Sequence, residues 1–400
     1  MKLLVADKLE EEALASFRAI AGLEVVSNPN ISKDELASAL GDVHILVVRS
    51  KEVRRAAIEA GRKLALIVRA GAGTNTIDVE AASERGVYVA NCPGKNAIAV
   101  AELAIGMILA LDRRIPEATR SLMAGKWEKG EFGKADGVFG KRIGVVGTGA
   151  IGREVITRAR ALGMIPHAWS RSLTDATARE MGVTRAASIE ALATVSDVFS
   201  IHLPLKGDTR NVINARIFEA LPKRAIVVNT ARAEVLDYPA LLAAMESRQL
   251  RVALDVFPGE PEGGKGTFQH EILQHPSVVA TPHIGASTQQ AQLAIAAETV
   301  RIVRSFLETG EVPNCVNIAA KSPARCQLVV RHFDRVGVLA NVLGVIKQHG
   351  INVEEMTNVP FEGNKAACAK IRLAQFPSAE CLRGIETSSP DVIHVEAIPV

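Results

Sequence analysis

Ile143-Gly-Val-Val-Gly-Thr-Gly-Ala-Ile-Gly152 is a short apolar strand running straight into the pattern Gly147-x-Gly149-x-x-Gly152. Each glycine answers a separate requirement. Gly147 allows the tight strand-to-helix turn, Gly149 lets the backbone come close to a pyrophosphate, and Gly152 permits close packing of a helix whose first amides face that anion. A helical stretch over 153–162 follows. In a chain with 31 glycines the spacing alone says little, but a strand before the turn and a helix after it are the context the pattern needs. The stretch reads as a dinucleotide site.

Working outward, strand and helix signals alternate on both sides of this turn. Before it, residues 3–6, 24–26, 45–48, 66–68 and 87–89 read as short buried strands with helices between them, the pattern of a doubly wound parallel sheet. Residues 97–111 are Ala-rich and apolar on nearly every face, which suits a helix buried between two lobes. After the turn, strands are expected at 166–169, 198–202, 225–229, 251–255 and 278–280, completing a nucleotide-binding lobe. A helix over 289–307 ends near Gly310, and residues 313–323 read as an extended linker punctuated by prolines. The remainder reads as strand, helix, strand, strand, helix, strand over 327–332, 337–349, 353–359, 366–373, 379–387 and 392–398. The expected fold class is α/β: two doubly wound parallel-sheet lobes plus a C-terminal βαββαβ module.

Composition excludes several classes. Four hundred residues, 48% of them hydrophobic, suit two to four globular domains. A formal charge of +3 with acids and bases intermixed gives no basic stripe, so neither nucleic acid nor an anionic membrane is an expected partner. Cys92, Cys315, Cys326, Cys368 and Cys381 form no CxxC pair and are odd in number, which fits reduced thiols. The N-terminus meets Asp7 before any apolar core of signal length, and Glu102 interrupts the longest apolar run. A cytoplasmic location is the expectation. No HxxxH or similar spacing supports a metal site.

Three strand ends carry the groups that could do chemistry. The stretch from Val227 to Arg232 ends a buried strand in an arginine, where a guanidinium can grip a carboxylate with two parallel hydrogen bonds and polarise an adjacent carbonyl. Ala253-Leu-Asp-Val-Phe-Pro-Gly-Glu260-Pro261 ends another strand in a proline-stiffened turn bearing a carboxylate. Thr281-Pro-His283 places an imidazole at a third. A carboxylate beside an imidazole favours the imidazolium, so the histidine becomes a competent acid near neutral pH. His202 precedes Pro204 at a strand end and reads as a structural histidine; His44, His167, His270, His275 and His349 read as surface or turn residues.

With these segments in view the chain resembles the D-2-hydroxyacid dehydrogenase family over nearly its whole length. The resemblance rests on GVVGTGAIG, NTARAEVLD, ALDVFPGEP and TPHIGAST in the family's order, with RAGAGTNTID from Arg69 and NCPGKNAIAVAE from Asn91. It implies catalytic roles for Arg232, Glu260 and His283. It implies dinucleotide contacts at Gly147, Gly149, Ala150, Ile151, Gly152, Leu203, Pro204, Thr209, Thr230, Ala231, Asp255, Gly285 and Ala286. The loop Ala70, Gly71, Ala72 and Gly73 would offer amides to a substrate carboxylate, while Arg49, Ser50, Lys51 and Asn96 resemble positions that meet a phosphate. The substrate lobe would comprise 1–96 and 281–314, the dinucleotide lobe 97–280, and a regulatory domain 322–400. The implied reaction is oxidation of 3-phospho-D-glycerate to 3-phosphohydroxypyruvate, within serine biosynthesis. A glyoxylate or hydroxypyruvate reductase of the same family, and a dinucleotide-sensing corepressor-type protein, are the alternatives.

Two further expectations concern cofactor and control. Many relatives carry an aspartate after the second strand of the nucleotide lobe to hold the adenosine ribose, whereas this chain reads Ala168-Trp-Ser170-Arg171-Ser172. Ser170 and Arg171 could bind a 2′-phosphate, so the expected cofactor is NAD or NADP, with NADP accepted. The tail, with HFDRVGVLANVL and HGINV, resembles an ACT domain. That resemblance implies L-serine as effector at His332, Asp334 and Asn352 between paired modules, in a homodimer or homotetramer. A purely structural pairing role is the alternative.

Overall fold

The structure, a computed structural model, describes residues 1–261, 265–319 and 322–400, and divides into two compact units, Met1–Asn317 and Ile318–Val400. In the first unit, β1 (Lys2–Val5), β2 (Glu24–Ser27), β3 (Ile45–Val48), β4 (Leu66–Arg69) and β5 (Tyr88–Asn91) form an all-parallel sheet in the order β2-β1-β3-β4-β5. A second parallel sheet contains β6 (Arg142–Val146), β7 (Ile165–Trp169), β8 (Thr184–Arg185), β9 (Val198–Ile201), β10 (Ile226–Asn229), β11 (Arg251–Leu254) and β12 (Val278–Ala280). Its order, β12-β11-β10-β9-β6-β7-β8, reverses direction between β6 and β9. Such a reversal opens a crevice at the carboxyl ends of the strands, where open α/β sheets bind ligands.

Three long helices organise this unit. The helix α1 (Ala97–Arg113) buries Ala101, Ala104, Ile105, Ile108 and Leu111 against Ile143, Val145, Val155 and Ile156 of the second sheet and its first helix, α2 (Ala150–Ala161). The helix α3 (Gln289–Thr309) returns the chain to the first sheet, where Ile295, Ile302 and Val303 pack with Leu3, Val5, Ile45 and Leu66. Each large apolar side chain fully buried in these layers contributes roughly 1.5–3 kcal/mol. Thr288 caps α3 through a side-chain bond to Ala291 N, and Gly310 ends it in the left-handed region.

The second unit is a four-stranded antiparallel sheet, β13 (Cys326–Phe333), β14 (Val353–Pro360), β15 (Ala366–Leu373) and β16 (Val392–Pro399), in the order β14-β15-β13-β16. Helices α4 (Val338–Gln348) and α5 (Ala379–Thr387) cross over between strands, and Val342, Ile346, Cys381 and Ile385 share a core with Leu328, Val330 and Ile371.

Some elements differ from the sequence expectation. The strand β2, expected to be buried, is not: it is the edge of its sheet, with one neighbour, and its side chains are intermediate or exposed; β12, expected only as a strand, is likewise an edge. The helix after the glycine turn starts at Ala150 rather than 153, so Gly152 lies inside its first turn. The two-residue β8, too short to carry a period, and the helices Ile115–Met123 and Lys129–Phe132, which bury no residue, had no counterpart in the sequence reading. Among the described residues no helix is long and apolar enough to cross a membrane.

Candidate active site

The glycine turn has the geometry its spacing predicts. Gly147 sits at φ 98°, and a Cβ there would lie 2.4 Å from the His202 carbonyl oxygen. A Cβ on Gly152 would lie 2.0 Å from the Gly147 carbonyl oxygen. Either contact would push the turn apart. Around Gly149 there is open space, and no side chain caps α2 there. The first amides of that helix, from Ala150 onward, therefore face outward with the positive end of the helix dipole behind them. A pyrophosphate fits this cradle.

The flanking loops abut the same turn. Ser170 Oγ meets Thr148 Oγ1 at 2.9 Å, and Arg171 is ion-paired with Asp208. Leu203 reaches toward Gly147, while exposed Pro204 follows it. The Thr209 hydroxyl donates to the Pro204 carbonyl at 2.7 Å, so it shapes this loop from within. His202 is buried, with Nε2 2.8 Å from Ser200 Oγ, and burial pushes its pKa down to about 4, leaving a neutral structural ring.

Arg232, Glu260 and His283 come from the ends of β10, β11 and β12, three successive neighbours in one sheet. Asn229 shapes the first end: its Oδ1 accepts from Ala231 N at 3.0 Å and its Nδ2 donates to the Arg232 carbonyl at 2.9 Å. The Arg232 guanidinium donates to the Ala231 carbonyl at 2.6 Å, and the Thr230 hydroxyl beside it is buried without a partner among the described residues. At the second end, Glu260 Oε1 accepts from Phe257 N at 2.8 Å, and Oε2 lies 2.6 Å from His283 Nδ1. With Nδ1 held by the carboxylate, Nε2 is the ring nitrogen left for a substrate. Burial by itself would raise the Glu260 carboxyl, but the bonds from His283 and the Phe257 amide outweigh it and hold the group below its ordinary value. Glu260 is an anion beside the ring.

His283 adopts φ 50°, a region few residues other than glycine enter. Asp255 over-determines this turn. Its Oδ1 accepts from Thr281 Oγ1 at 2.6 Å and Ile284 N at 2.8 Å, its Oδ2 from Gly285 N at 2.8 Å, and its carbonyl oxygen from His283 N at 2.8 Å. Asp255 thus positions the histidine turn first of all. The Ala286 carbonyl beyond it accepts from Gln292 Nε2 at 2.7 Å.

The first lobe presents cations to this constellation. Arg69, whose loop the resemblance marks for its amides and not for this side chain, curls back over that loop: a Cβ on Gly71 would lie 1.7 Å from Arg69 Nη1, and one on Gly73 would lie 2.4 Å from Arg232 Nη2. Those glycines make room for two guanidiniums. Burial, then the neighbouring charges of Arg232 and Arg49, push Arg69 down to about 10, and its Nε has no partner. The amides of Ala70 and Gly71 are already bonded to Val48 O and Arg69 O, whereas among the described residues no such bond is formed by Ala72 or Gly73. Asn91 Nδ2 holds the Ala72 carbonyl at 2.5 Å, and Asn96 Oδ1 is buried without a partner among the described residues. Asp7, another residue the sequence did not mark, gathers the amides of Arg49, Ser50 and Lys51 on one oxygen at 2.7, 3.0 and 2.9 Å. The Lys51 ammonium is itself bonded to the Ile31 carbonyl, so Arg49 is the freer cation of that loop.

Glu298 on α3 ties this region together. Its carboxylate takes Arg301 at 2.6 and 3.1 Å, Asn314 Nδ2 at 2.7 Å and Lys95, next to Asn96, at 3.3 Å. The Arg301 bonds, opposed by burial and helped by Asn314 and Lys95, hold its carboxyl down at about 2. A carboxyl whose folded pKa is depressed stabilises above its unfolded value and loses that contribution as pH falls through the folded one. A span from an ordinary 4.5 to about 2 corresponds to about 3 kcal/mol above pH 5, falling to about half of that by pH 3. Urea unfolding of Glu298→Gln beside the wild type should show a gap that narrows over this window; a pH-independent gap would remove the clasp from the account.

The tail residues do not gather within one chain. His332 is buried, with Nδ1 donating to the Phe333 carbonyl at 2.8 Å and Nε2 3.1 Å from the Asn358 side chain. It lies opposite Ala367 at one end of β15, whereas the Asn352 carbonyl accepts from Ala374 N past the other end, seven residues or about 23 Å away. Asp334 is exposed beside His332, and the Asn352 amide donates to Glu354 at 2.8 Å.

A family model described as D-isomer specific 2-hydroxyacid dehydrogenase, NAD binding domain, matches residues 105–285. The hydroxypyruvate reductase of Thermotoga maritima is 40% identical over 310 residues, covering 76% of this chain and 97% of that protein. The chain belongs to the D-isomer specific 2-hydroxyacid dehydrogenase family. The D-3-phosphoglycerate dehydrogenase of Methanocaldococcus jannaschii is 38% identical over 320 residues, 80% of this chain, but the match spans only 60% of that protein's length. Among solved structures of the family, the NAD+-bound 3-phosphoglycerate dehydrogenase of Entamoeba histolytica superposes with a TM-score of 0.67 at 29% identity, covering 80% of this chain and 99% of that one.

Proposed function

We propose that this chain is an NAD(P)-dependent 2-hydroxyacid dehydrogenase that oxidises 3-phospho-D-glycerate to 3-phosphohydroxypyruvate, the entry reaction of phosphorylated serine biosynthesis. The observation that carries the reading is the crowding of the Arg69 and Arg232 guanidiniums over the Gly71–Gly73 loop, with Arg232 at the end of the strand next to the one that leads to Glu260 and its paired His283 imidazole. Two guanidiniums crowding one loop repel one another unless an anion lies between them, and a substrate with a carboxylate at one end and a phosphate at the other supplies that anion and a second one for Arg49.

In this reading Arg232 clamps the carboxylate and the oxygen on C2, helped by the amides of Ala72 and Gly73. His283 Nε2 takes the C2 hydroxyl proton; the O–H electron pair forms the C=O bond as the C2–H bond breaks with its own pair. The chemistry that a bound nicotinamide supplies is acceptance of that hydride, with its pyrophosphate held at the Gly147–Gly152 turn. Glu260 keeps the proton on Nδ1 and stabilises the imidazolium until the proton leaves. Run backwards, the same groups protonate the alkoxide that forms on reduction.

The T. maritima match favours a second reading, reduction of unphosphorylated hydroxypyruvate. A panel of 2-hydroxy and 2-oxo acids with both nicotinamide cofactors separates the two: the phosphorylated pair should give the highest kcat/KM, and a preference for hydroxypyruvate or glyoxylate would replace the first reading with the second. Arg49→Ala should raise KM for the phosphorylated substrate about ten- to a hundredfold, the effect of losing one charged hydrogen bond, while moving KM for the unphosphorylated analogue far less. Equal effects on both would take Arg49 out of the phosphate site.

A further inference from the structure

The segment 168–172 carries no acid, but one reaches it from elsewhere in the chain. Arg171 stands two residues past β7, and Asp208 lies in the short turn Gly207–Thr209 that follows β9. Because β7 and β9 lie on either side of β6, their loops border the glycine turn from opposite flanks. On one flank Ser170 touches Thr148; on the other a Cβ on Gly147 would come within 3.4 Å of Leu203. Arg171 Nη1 donates to Asp208 Oδ2 across the gap, and the two side chains are 58% and 56% exposed.

We propose that Asp208 is a specificity-determining residue for the adenosine end of the dinucleotide: it supplies from a second loop the carboxylate that segment 168–172 lacks, and sets a preference for NAD over NADP. The inference rests on the reading of the glycine turn as the cofactor site. A 2′-phosphate approaching Arg171 would meet Asp208 at the same place, and the attraction of one charge is offset by the repulsion of the other. An unphosphorylated ribose meets no such conflict, because a carboxylate accepts hydrogen bonds from its hydroxyls. Exposed ion pairs are worth only about 0–1 kcal/mol, so the pair does little for the fold. Its consequence lies in what it leaves available: with Asp208 neutralised, a free guanidinium forks onto a phosphate bidentately.

Direct binding tests this without turnover. NADH and NADPH are titrated into the full-length protein by calorimetry, for the wild type, Asp208→Asn, Arg171→Ala and the double variant. The wild type is expected to bind NADH about tenfold tighter than NADPH, and Asp208→Asn to tighten NADPH by about tenfold or more while NADH changes little. Arg171→Ala on top of Asp208→Asn should abolish the gain. Failure of the wild type to bind either dinucleotide would overturn the cofactor site itself. Tight NADH binding with a ratio that Asp208→Asn leaves within about twofold of the wild type would overturn the role of Asp208 alone.

Discussion

Replacing His283 by asparagine is expected to lower turnover by about a hundredfold to ten-thousandfold, the usual contribution of a positioned general acid–base group, while dinucleotide affinity stays close to wild type. Asparagine is the informative substitution because His283 holds φ 50°, and asparagine enters that region more readily than other residues. Alanine would remove the imidazole and strain the turn that Asp255 anchors, confounding two effects. The amide keeps the backbone bonds to Asp255 but cannot exchange a proton near neutral pH. Steady-state rates with a fluorescence titration of NADH separate chemistry from binding; wild-type turnover in this variant would dismiss His283 as the proton acceptor.

Arg232→Ala is expected to have the second large effect. Truncating one partner of a desolvated charge pair costs about 2–5 kcal/mol, which corresponds to a loss of roughly thirtyfold to several thousandfold in kcat/KM for the carboxylate substrate. Lysine in its place should recover only part, since a point charge cannot reproduce the fork. The ligand-free protein should behave in the opposite sense. Arg232 and Arg69 crowd the same glycine loop, and the charge of Arg232 is one of the causes that depress Arg69. Removing it relieves that repulsion, so thermal unfolding of Arg232→Ala without ligand should occur no earlier than in the wild type. Coupled loss of activity and stability would mean that Arg232 holds the fold rather than the substrate.

The sequence made legible what local chemistry dictates. The glycine turn, the strand ends bearing Arg232, Glu260 and His283, the buried α1 and the order of tail elements all follow from residues near one another in the chain. What it concealed depends on which distant segments the sheets place side by side. Asp7 and the 49–51 loop are 42 to 44 residues apart and meet because β1 and β3 are neighbours; Arg171 and Asp208 are 37 apart and meet because β7 and β9 flank β6; no periodicity announces either. The exposure of β2 and β12 likewise depends on their being edges, which apolar content cannot tell. The resemblance places His332 at an effector site; that its ring is buried and bonded to the Phe333 carbonyl and the Asn358 side chain depends on strand pairing, which the motif does not display.

Arg232, Glu260 and His283 follow three consecutive parallel strands, so the pitch of the sheet, about 4.8 Å per strand, acts as a ruler for the points from which their loops start. Chain length between the strands does not enter that measure. Connections such as the one from Pro261 to β12 can therefore lengthen or shorten over evolutionary time while the reacting groups stay in register. The short loops of the other sheet, where the proposed substrate contacts lie, are outside that measure. A lineage built on this plan is free to acquire new acids to oxidise without re-inventing the means of oxidising them.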